Sequence, residues 1–207
     1  MTHPLRFGLK VSQQGQPIEV LREGWRIADG AGFDHLWPFD HLLALHAAPT
    51  TPIFDGWTLL GAIAASTDRI RMGLNVSGNL YRHPALLAKM AVTVDHLSGG
   101  RLEVGLGASW NEAEFAMFGM PFPGTADRIR MLDESCQVLK RLWTEERATF
   151  AGRFYRLSDA ISEPKPRRRP RRRDEDSAKS AQPVRPEARL VELIDKIPGA
   201  ILKKTGR

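Results

Sequence analysis

The sequence predicts an α/β fold in which short parallel strands alternate with helices, and the middle of the chain shows this most clearly. Two short apolar runs, Ile70–Val76 and Arg101–Leu106, flank Pro84–Leu97, whose apolar residues recur at helical spacing. Two strands joined by a helix form a right-handed unit with parallel strands. The loops that follow them, 75–79 and 105–111, therefore meet at one edge of the sheet, where parallel sheets bind ligands.

Two similar strand–helix units precede this segment. The first strand is predicted at Arg6–Val11, and Pro17 opens the helix after it, where a missing N–H costs little. Gly32 stands where a glycine commonly ends a helix. The second strand is predicted at Phe33–Phe39 and the second helix at Asp55–Ser66.

Three further elements follow the fourth strand. A short helix is predicted at Asn111–Phe118 and a longer one at Ala126–Trp143, with a hairpin at Thr149–Leu157 that reads as an insertion. Cys136, the only cysteine, lies on the longer helix and is predicted to be a small core residue.

These elements make about four strand–helix units, whereas a closed eight-stranded barrel needs eight units and about 250 residues. We therefore expect a partial TIM-like (β/α)8 barrel over residues 1–163. Residues 164–207 have the composition of a basic, largely disordered tail. Within it, only residues 188–197 carry the apolar spacing of a short helix.

The net charge of +6 arises in this tail, which holds 14 of the 30 Lys and Arg residues and 6 of the 24 Asp and Glu residues. No aromatic residues interrupt its arginine run, so we expect a solvated tail rather than a nucleic-acid partner. No apolar run is long enough to span a membrane and no signal peptide is visible, and a single cysteine fits a cytoplasmic protein.

The segments 31–42, 69–115, 120–134 and 147–157 occur in the order and at the spacing of a known family. Over residues 5–166 the chain resembles luciferase-like monooxygenases, closest to the branch that uses the deazaflavin coenzyme F-420. The resemblance implies a TIM-like barrel that binds its cofactor across the C-terminal ends of the strands. It also implies an oxidoreductase that transfers a hydride between a small-molecule substrate and the deazaflavin.

Two alternatives stay open. The chain could be an FMN-dependent monooxygenase of the same family. It could also be a truncated or frame-shifted, catalytically incompetent fragment, because family members continue after Pro166 into a fifth strand and three more units. The resemblance also allows a homodimer.

The resemblance assigns site residues position by position. Asp40 and His41, at the end of the second strand, match a catalytic pair, and Asp40 also lies at the cofactor. Asn75 and Val76 match a non-prolyl cis peptide that backs the cofactor ring. The remaining cofactor contacts come from the loop after the fourth strand: Gly107, Ala108, Ser109 and Asn111.

Trp110 and Leu45 are assigned to the substrate pocket. They stand where sugar-phosphate and alcohol dehydrogenases of the F-420 branch carry other residues, so the resemblance disfavours those substrates. The glycines of Gly105-x-Gly107 could instead only relieve a tight turn.

The histidines divide into one candidate for chemistry and several structural ones. An Asp-His pair is often only a capped turn, but a position at the end of a strand favours a site, and imidazole transfers protons near pH 7. His83 precedes Pro84 and is predicted to be structural. No histidine pair shares ligand spacing with a carboxylate, so no metal is expected.

Overall fold

The computed structural model describes residues 5–167, in which five strands run parallel. The first three pair in chain order, and two more form a second parallel pair. A single bridge between Met72 and Leu102 links the third strand to the segment that leads into the fifth. The strands are β1 (Gly8–Lys10), β2 (His35–Trp37), β3 (Arg71–Met72), β4 (Ser77–Gly78) and β5 (Leu106–Gly107).

Helices cover one side of these strands, and the most extensive helix–helix contacts are those of α1 with α2, α2 with α3, and α3 with α5. An antiparallel hairpin follows the last helix. The helices are α1 (Ile18–Gly30), α2 (Gly56–Ser66), α3 (Pro84–Leu97), α4 (Glu112–Met117) and α5 (Thr125–Thr144), and the hairpin consists of β6 (Ala148–Ala151) and β7 (Arg156–Ala160). The α/β expectation is confirmed, and over residues 5–167 the barrel is open.

The two predicted strands in the middle of the chain, Ile70–Val76 and Arg101–Leu106, are not continuous. Only Arg71–Met72 of the first is a strand, and the second contributes the bridge at Leu102 and the start of β5 at Leu106.

The run Ile70–Val76 is not one regular strand, because the alternation of its N–H groups between the two neighbouring strands breaks near its end. Before the break, Met72 N–H donates to Arg101 O and Gly73 N–H donates to Leu36 O, each at 3.2 Å and on opposite sides. In a regular strand, residues 75 and 77 would bond on the same side. Asn75 N–H donates to Pro38 O at 2.8 Å, on the side of β2, whereas Ser77 N–H donates to Gly105 O at 2.8 Å, on the opposite side. Regular pairing is therefore limited to β3 before this break and to β4 and β5 after it.

The hydrophobic core lies between the strands and the helices. Leu36 and Met72 pair in register and are completely buried, as are Leu60 and Ile63 of α2. Alternate residues of β2 face the other way and are only half-buried. The strands thus present one apolar face to the helices and one mixed face to the concave side.

Arg101 ties the end of α2 to the strand that follows α3. Its guanidinium donates to the carbonyl oxygens of Ala64 at 2.9 Å, Thr67 at 2.7 Å and Ile70 at 2.9 Å. The last carbonyls of a helix have no partner within the helix. The side chain of Arg101 supplies one, which explains why an arginine ends the Ser-Gly-Gly-Arg turn.

The prediction that Cys136 is a core residue is wrong. Its side chain is exposed, because the buried stripe of α5 runs through Ser135, Val138, Leu139 and Leu142. Successive residues of a helix are rotated by about 100°, so Cys136 points away from the stripe that contains Ser135.

The first residues after 163 pack against the helices. Lys165 Nζ donates to Leu142 O at 3.1 Å and to Glu145 O at 2.5 Å, and Arg167 N–H donates to Asp95 Oδ2 at 2.7 Å. The predicted helix at 188–197 lies outside the described residues. Within residues 5–167, no helix has the length and apolar character that a membrane crossing requires.

Candidate functional site

Asp40 joins three segments at the C-terminal end of β2. Its carboxylate accepts hydrogen bonds from both terminal nitrogens of Arg82, at 2.6 and 2.9 Å. It also accepts from the Ser77 hydroxyl and the Gly78 N–H, both at 3.0 Å. Three of these four bonds fall on Oδ2, and Oδ1 accepts only the second bond from Arg82. Asp40, only 3% exposed, therefore anchors β4 and Arg82 to the end of β2.

His41, the next residue, contacts a buried carboxylate that its sequence neighbourhood does not reveal. Its Nδ1 lies 2.9 Å from Oε2 of Glu114, a residue of α4 with a completely buried side chain. The hydroxyl of Tyr81 donates to the same Oε2 at 2.6 Å and lies 3.3 Å from His41 Nδ1. We call these three residues the His41–Tyr81–Glu114 cluster.

The second oxygen of Glu114 is held by the loop that carries His41. It accepts from the backbone N–H of Leu43 at 2.9 Å and from that of Leu42. Burial works to raise the pKa of Glu114, but the hydrogen bonds from Tyr81, His41 and the two amides outweigh it and hold this pKa below its ordinary value. Glu114 is therefore a carboxylate at neutral pH.

The pKa of Tyr81 is shifted in the opposite direction, upward. Burial, together with the hydrogen bond to Glu114 and the negative charge beside it, raises the pKa of Tyr81 far above its ordinary value. The phenol therefore keeps its proton and serves as a hydrogen-bond donor within the cluster.

Asn75 and Val76 are exposed although the residues on either side of them are buried, and we call these two residues the exposed step. Val76 is 43% exposed, whereas Leu74 and Ser77 on either side are almost completely buried. The peptide bond between Asn75 and Val76 is cis, as the family resemblance implies. A Cβ at Gly107 would lie 2.7 Å from Val76 Cγ2, so the missing side chain there makes room for the valine.

The loop after β5 completes this edge. Ser109 has a φ of 63°, and its Oγ accepts from Leu80 N–H at 3.5 Å. Trp110 is 62% exposed, with its ring edge-on to that of His41 at 5.7 Å. Asn111 stands at the N-cap position of α4 without a capping hydrogen bond from its side chain, and Ala108 is half-buried.

Leu45 lies elsewhere in the loop after β2. Its backbone N–H donates to Gln14 Oε1 at 2.7 Å and its carbonyl accepts from Gln14 Nε2 at 2.9 Å. These bonds fasten the residue to the loop that follows β1. Leu45 makes no hydrogen bond, ion pair or ring contact with His41 or Trp110 within residues 5–167.

The residues that the sequence assigned to the ring converge on one edge. Asp40 hydrogen-bonds Gly78, which pairs with Gly107 in the parallel ladder, and Asn75 N–H donates to the carbonyl of Pro38 just before Asp40. This convergence is the arrangement that parallel strands were expected to produce.

Sequence reasoning missed Glu114, Tyr81 and Arg82, the charged and polar partners of the Asp-His pair. Tyr81 and Arg82 lie in the short loop between β4 and α3, a position that could have marked them as residues near a strand end. Glu114 has a weaker signal, since only its place beside the buried Phe115 on a short helix sets it apart from Glu112.

Two expectations about the remaining histidines concern structure and metals. His83 caps α3, with its Nδ1 accepting from Ala85 N–H at 3.2 Å, so its structural role is confirmed. Among residues 5–167, no group of three or more His, Cys, Asp or Glu side chains is arranged to hold a metal ion.

Comparison with known proteins places this site in context. The family model for luciferase-like monooxygenases matches residues 1–185. The chain is 36% identical over 165 residues to an F420-dependent glucose-6-phosphate dehydrogenase of Microbacterium testaceum (strain StLB037), covering 77% of this chain and 47% of the relative. It is 30% identical over 183 residues to an FMNH(2)-dependent dimethylsulfone monooxygenase of Pseudomonas putida, covering 82% and 50%.

A solved structure shows the same fold. An F420-dependent secondary alcohol dehydrogenase in complex with an F420-acetone adduct matches with a TM-score of 0.72 and 23% identity, covering 80% of this chain and 50% of that one. The chain thus spans about half the length of the curated relatives it matches. With most of its residues matched by the family model, the chain belongs to the luciferase-like monooxygenase family.

Proposed function

We propose that the protein is an oxidoreductase that uses a deazaflavin, coenzyme F-420, at the edge where β2, β4 and β5 end. The observation that carries the proposal is the exposed step at Asn75 and Val76, which lies among buried residues and beside the loop of Asp40 and His41. Ligand sites in parallel α/β proteins lie where the strands end and are lined mainly by apolar side chains, so an exposed valine at this edge supports the placement.

The residues at this edge fit a flat heterocycle. Val76 offers an apolar face, and a Cβ at Gly105 or Gly107 would meet the Val76 side chain at 3.2 or 2.7 Å, so neither position carries one. Asn75, Val76, Gly107, Ala108, Ser109 and Asn111 would hold the ring and its polar substituents. When bound, a deazaflavin or flavin supplies the centre that accepts or donates a hydride.

His41 is the proton-handling group in this proposal. Its Nδ1 is occupied by Glu114, so only Nε2 is left to face a substrate, and that atom has no hydrogen-bond partner within residues 5–167. The side chain is 12% exposed, so part of the ring is accessible. Nε2 would take a proton from a small organic substrate or return one to it.

Asp40 would organise the site rather than react. Its carboxylate accepts four hydrogen bonds from Ser77, Gly78 and Arg82, which fix its position at the end of β2. Trp110, exposed beside His41, would form one wall of the substrate pocket, and Leu45 would contribute from the same loop as His41.

Binding of F-420 and FMN to the purified 207-residue chain tests the proposal. We expect F-420 to bind, as followed by its absorbance and fluorescence, and Val76→Asp to weaken binding at least about tenfold because a charge replaces the apolar face. Ile161→Asp is the matched control: Ile161 is also exposed, at 60%, but lies after β7, so binding should be unchanged. Absence of binding by either cofactor would contradict the proposal and favour an incompetent fragment.

The second candidate is an FMN-dependent monooxygenase. The similarity to an FMNH(2)-dependent enzyme supports it, and the same edge would hold either ring. Tight FMN binding with weak F-420 binding, together with oxygen-dependent turnover, would decide for this candidate.

A further inference from the structure

We infer that Glu114 and Tyr81 are positioning residues that fix neutral His41 in one tautomer, with the proton on Nδ1 and an unprotonated Nε2 facing the ligand. The inference deepens the proposed function, on which the importance of His41 rests. The tautomer itself follows from the arrangement of atoms in the His41–Tyr81–Glu114 cluster.

Only one assignment of hydrogen-bond donors and acceptors fits the atoms around Glu114 Oε2. An ionised carboxylate only accepts, so both groups that approach Oε2 must donate to it. Tyr81 gives it the phenol proton at 2.6 Å, and the remaining neighbour is His41 Nδ1 at 2.9 Å. Nδ1 must therefore carry a hydrogen, and in the neutral ring Nε2 then carries none.

The cluster has little freedom to rearrange. Glu114 is completely buried, and its other oxygen accepts from the N–H groups of Leu42 and Leu43 in the loop of His41 itself. The Tyr81 ring stacks on the buried Phe115 with a centroid distance of 4.8 Å and an interplanar angle of 13°. Buried polar networks in which every member is satisfied hold a single arrangement.

Gly78 reinforces the position of Tyr81. A Cβ on Gly78 would lie 2.3 Å from the Tyr81 ring, so the ring packs directly on the backbone of β4. The strand that pairs with Gly107 thereby also fixes the phenol of the cluster.

The consequence for proton transfer is specific. Nε2 is available as an acceptor, and a proton arriving there produces an imidazolium whose Nδ1–H points at the buried carboxylate of Glu114. Charge-assisted hydrogen bonds of this kind are stronger than neutral ones. Glu114 thus acts through His41 and does not itself contact the substrate.

Glu114→Gln should reverse the tautomer. The two N–H groups of Leu42 and Leu43 require an acceptor at the Oε1 position, so the oxygen of the new amide must lie there. Its NH₂ group then occupies the Oε2 position and donates to His41 Nδ1. Nδ1 becomes the acceptor, and the ring proton moves to Nε2.

The test is the long-range ¹H–¹⁵N correlation spectrum of the ¹⁵N-labelled 207-residue chain, without cofactor, at an alkaline pH where the histidine rings are neutral. The His41 signals are assigned by their loss in His41→Gln. We expect the Nδ1–H pattern in the wild type and the Nε2–H pattern in Glu114→Gln. Tyr81→Phe, which leaves the Glu114 carboxylate in place, should keep the Nδ1–H pattern.

An Nε2–H pattern in the wild type, or an unchanged pattern in a folded Glu114→Gln, overturns the inference. If Glu114→Gln does not fold, the wild-type and Tyr81→Phe spectra decide, because an Nε2–H pattern in either contradicts the proposed donor arrangement. No ligand is present in this experiment, so failure of F-420 or FMN to bind contradicts the proposed function alone. In a chain that turns over substrate, Glu114→Gln should lower kcat on the order of 10²- to 10⁴-fold with little change in KM.

Discussion

Asp40 and Arg82 form a bidentate ion pair at the end of β2, with nitrogen–oxygen distances of 2.6 and 2.9 Å. Both side chains are largely buried, at 2% and 11% exposed. Removal of Arg82 would leave Asp40 as an uncompensated buried charge, which is more costly than the loss of the pair itself. Arg82 without Asp40 would keep its second ion pair, with the exposed Asp55 at 3.1 Å. The stability of the edge therefore depends most strongly on Arg82.

Arg82→Met should lower the free energy of unfolding by about 3–5 kcal/mol. The double variant Asp40→Asn/Arg82→Met should lose less than the sum of the single variants, because neither charge is then left alone. Denaturant titrations of the wild type, Asp40→Asn, Arg82→Met and the double variant measure this coupling. The control is Arg130→Met: Arg130 is 58% exposed in its pair with Asp127, and we expect a change of at most about 1 kcal/mol. Additive losses at Asp40 and Arg82 would contradict the pairing.

Gly107→Ala should disturb the exposed step at Val76. The added Cβ would lie 2.7 Å from Val76 Cγ2, so one of the two must shift, at a cost of about 1–3 kcal/mol of stability. Val76→Ala in the same chain removes the contacted methyl group and should recover most of the loss. Gly61→Ala is the matched control. It lies inside α2 with no atom within 4 Å of the added Cβ, and it should stabilise the protein by about 0.5–1 kcal/mol.

The edge of the sheet was predictable from sequence because its determinants are local. Apolar runs end at Asp40 and before Gly107, and in parallel strands such ends lie side by side. The partner of His41 was not predictable in this way. Glu114 is 73 positions away, and only the packing of α4 against the loop after β2 brings the two side chains together.

The interruption of the third strand was equally hidden. Hydrophobicity marks Ile70–Val76 as one apolar run, but pairing depends on which neighbour accepts each N–H. Asn75 bonds toward β2, whereas Ser77, which would bond on the same side in a regular strand, bonds toward β5. The amino-acid sequence of a segment thus predicts whether the segment is buried. Its hydrogen-bonding register depends on strands that lie elsewhere in the chain.

Stability should fall in acid through Glu103. The pKa of Glu103 is held at about 2 by His35 and Arg71, although burial of the carboxyl group works to raise it. His35 Nε2 lies 3.8 Å and Arg71 Nη2 lies 2.5 Å from Glu103 Oε1. The pKa is lower in the folded state than its ordinary value of 4.5. The stabilisation is therefore complete above about pH 4.5 and is lost as the pH falls from there to about 2.

Glu103→Gln should flatten this part of the profile. The free energy of unfolding, measured by denaturant titration between pH 2 and pH 5, should fall less steeply with decreasing pH in the variant than in the wild type. Equal slopes in both proteins would show that Glu103 is not held in its charged form by His35 and Arg71.

Glu134 of α5 holds the turn between β6 and β7. Its carboxylate accepts from the backbone N–H groups of Arg153 at 2.8 Å, Phe154 at 2.9 Å and Tyr155 at 3.0 Å. Hydrogen bonds to a charged group contribute about 1.5–3 kcal/mol. Glu134→Ala should therefore speed hydrogen exchange of these three amides by about 10- to 100-fold, whereas amides inside α3 should exchange as in the wild type.

Gly152→Ala should loosen the same turn by a different route. A Cβ at residue 152 would lie 2.3 Å from Glu134 Oε2, so the carboxylate must move away from the amides it holds. Exchange at Arg153, Phe154 and Tyr155 should rise in this variant as well. In a Glu134→Ala background the carboxylate is already gone, so Gly152→Ala should add little further. Independent effects of the two substitutions on exchange would mean that the turn is held by something other than this carboxylate.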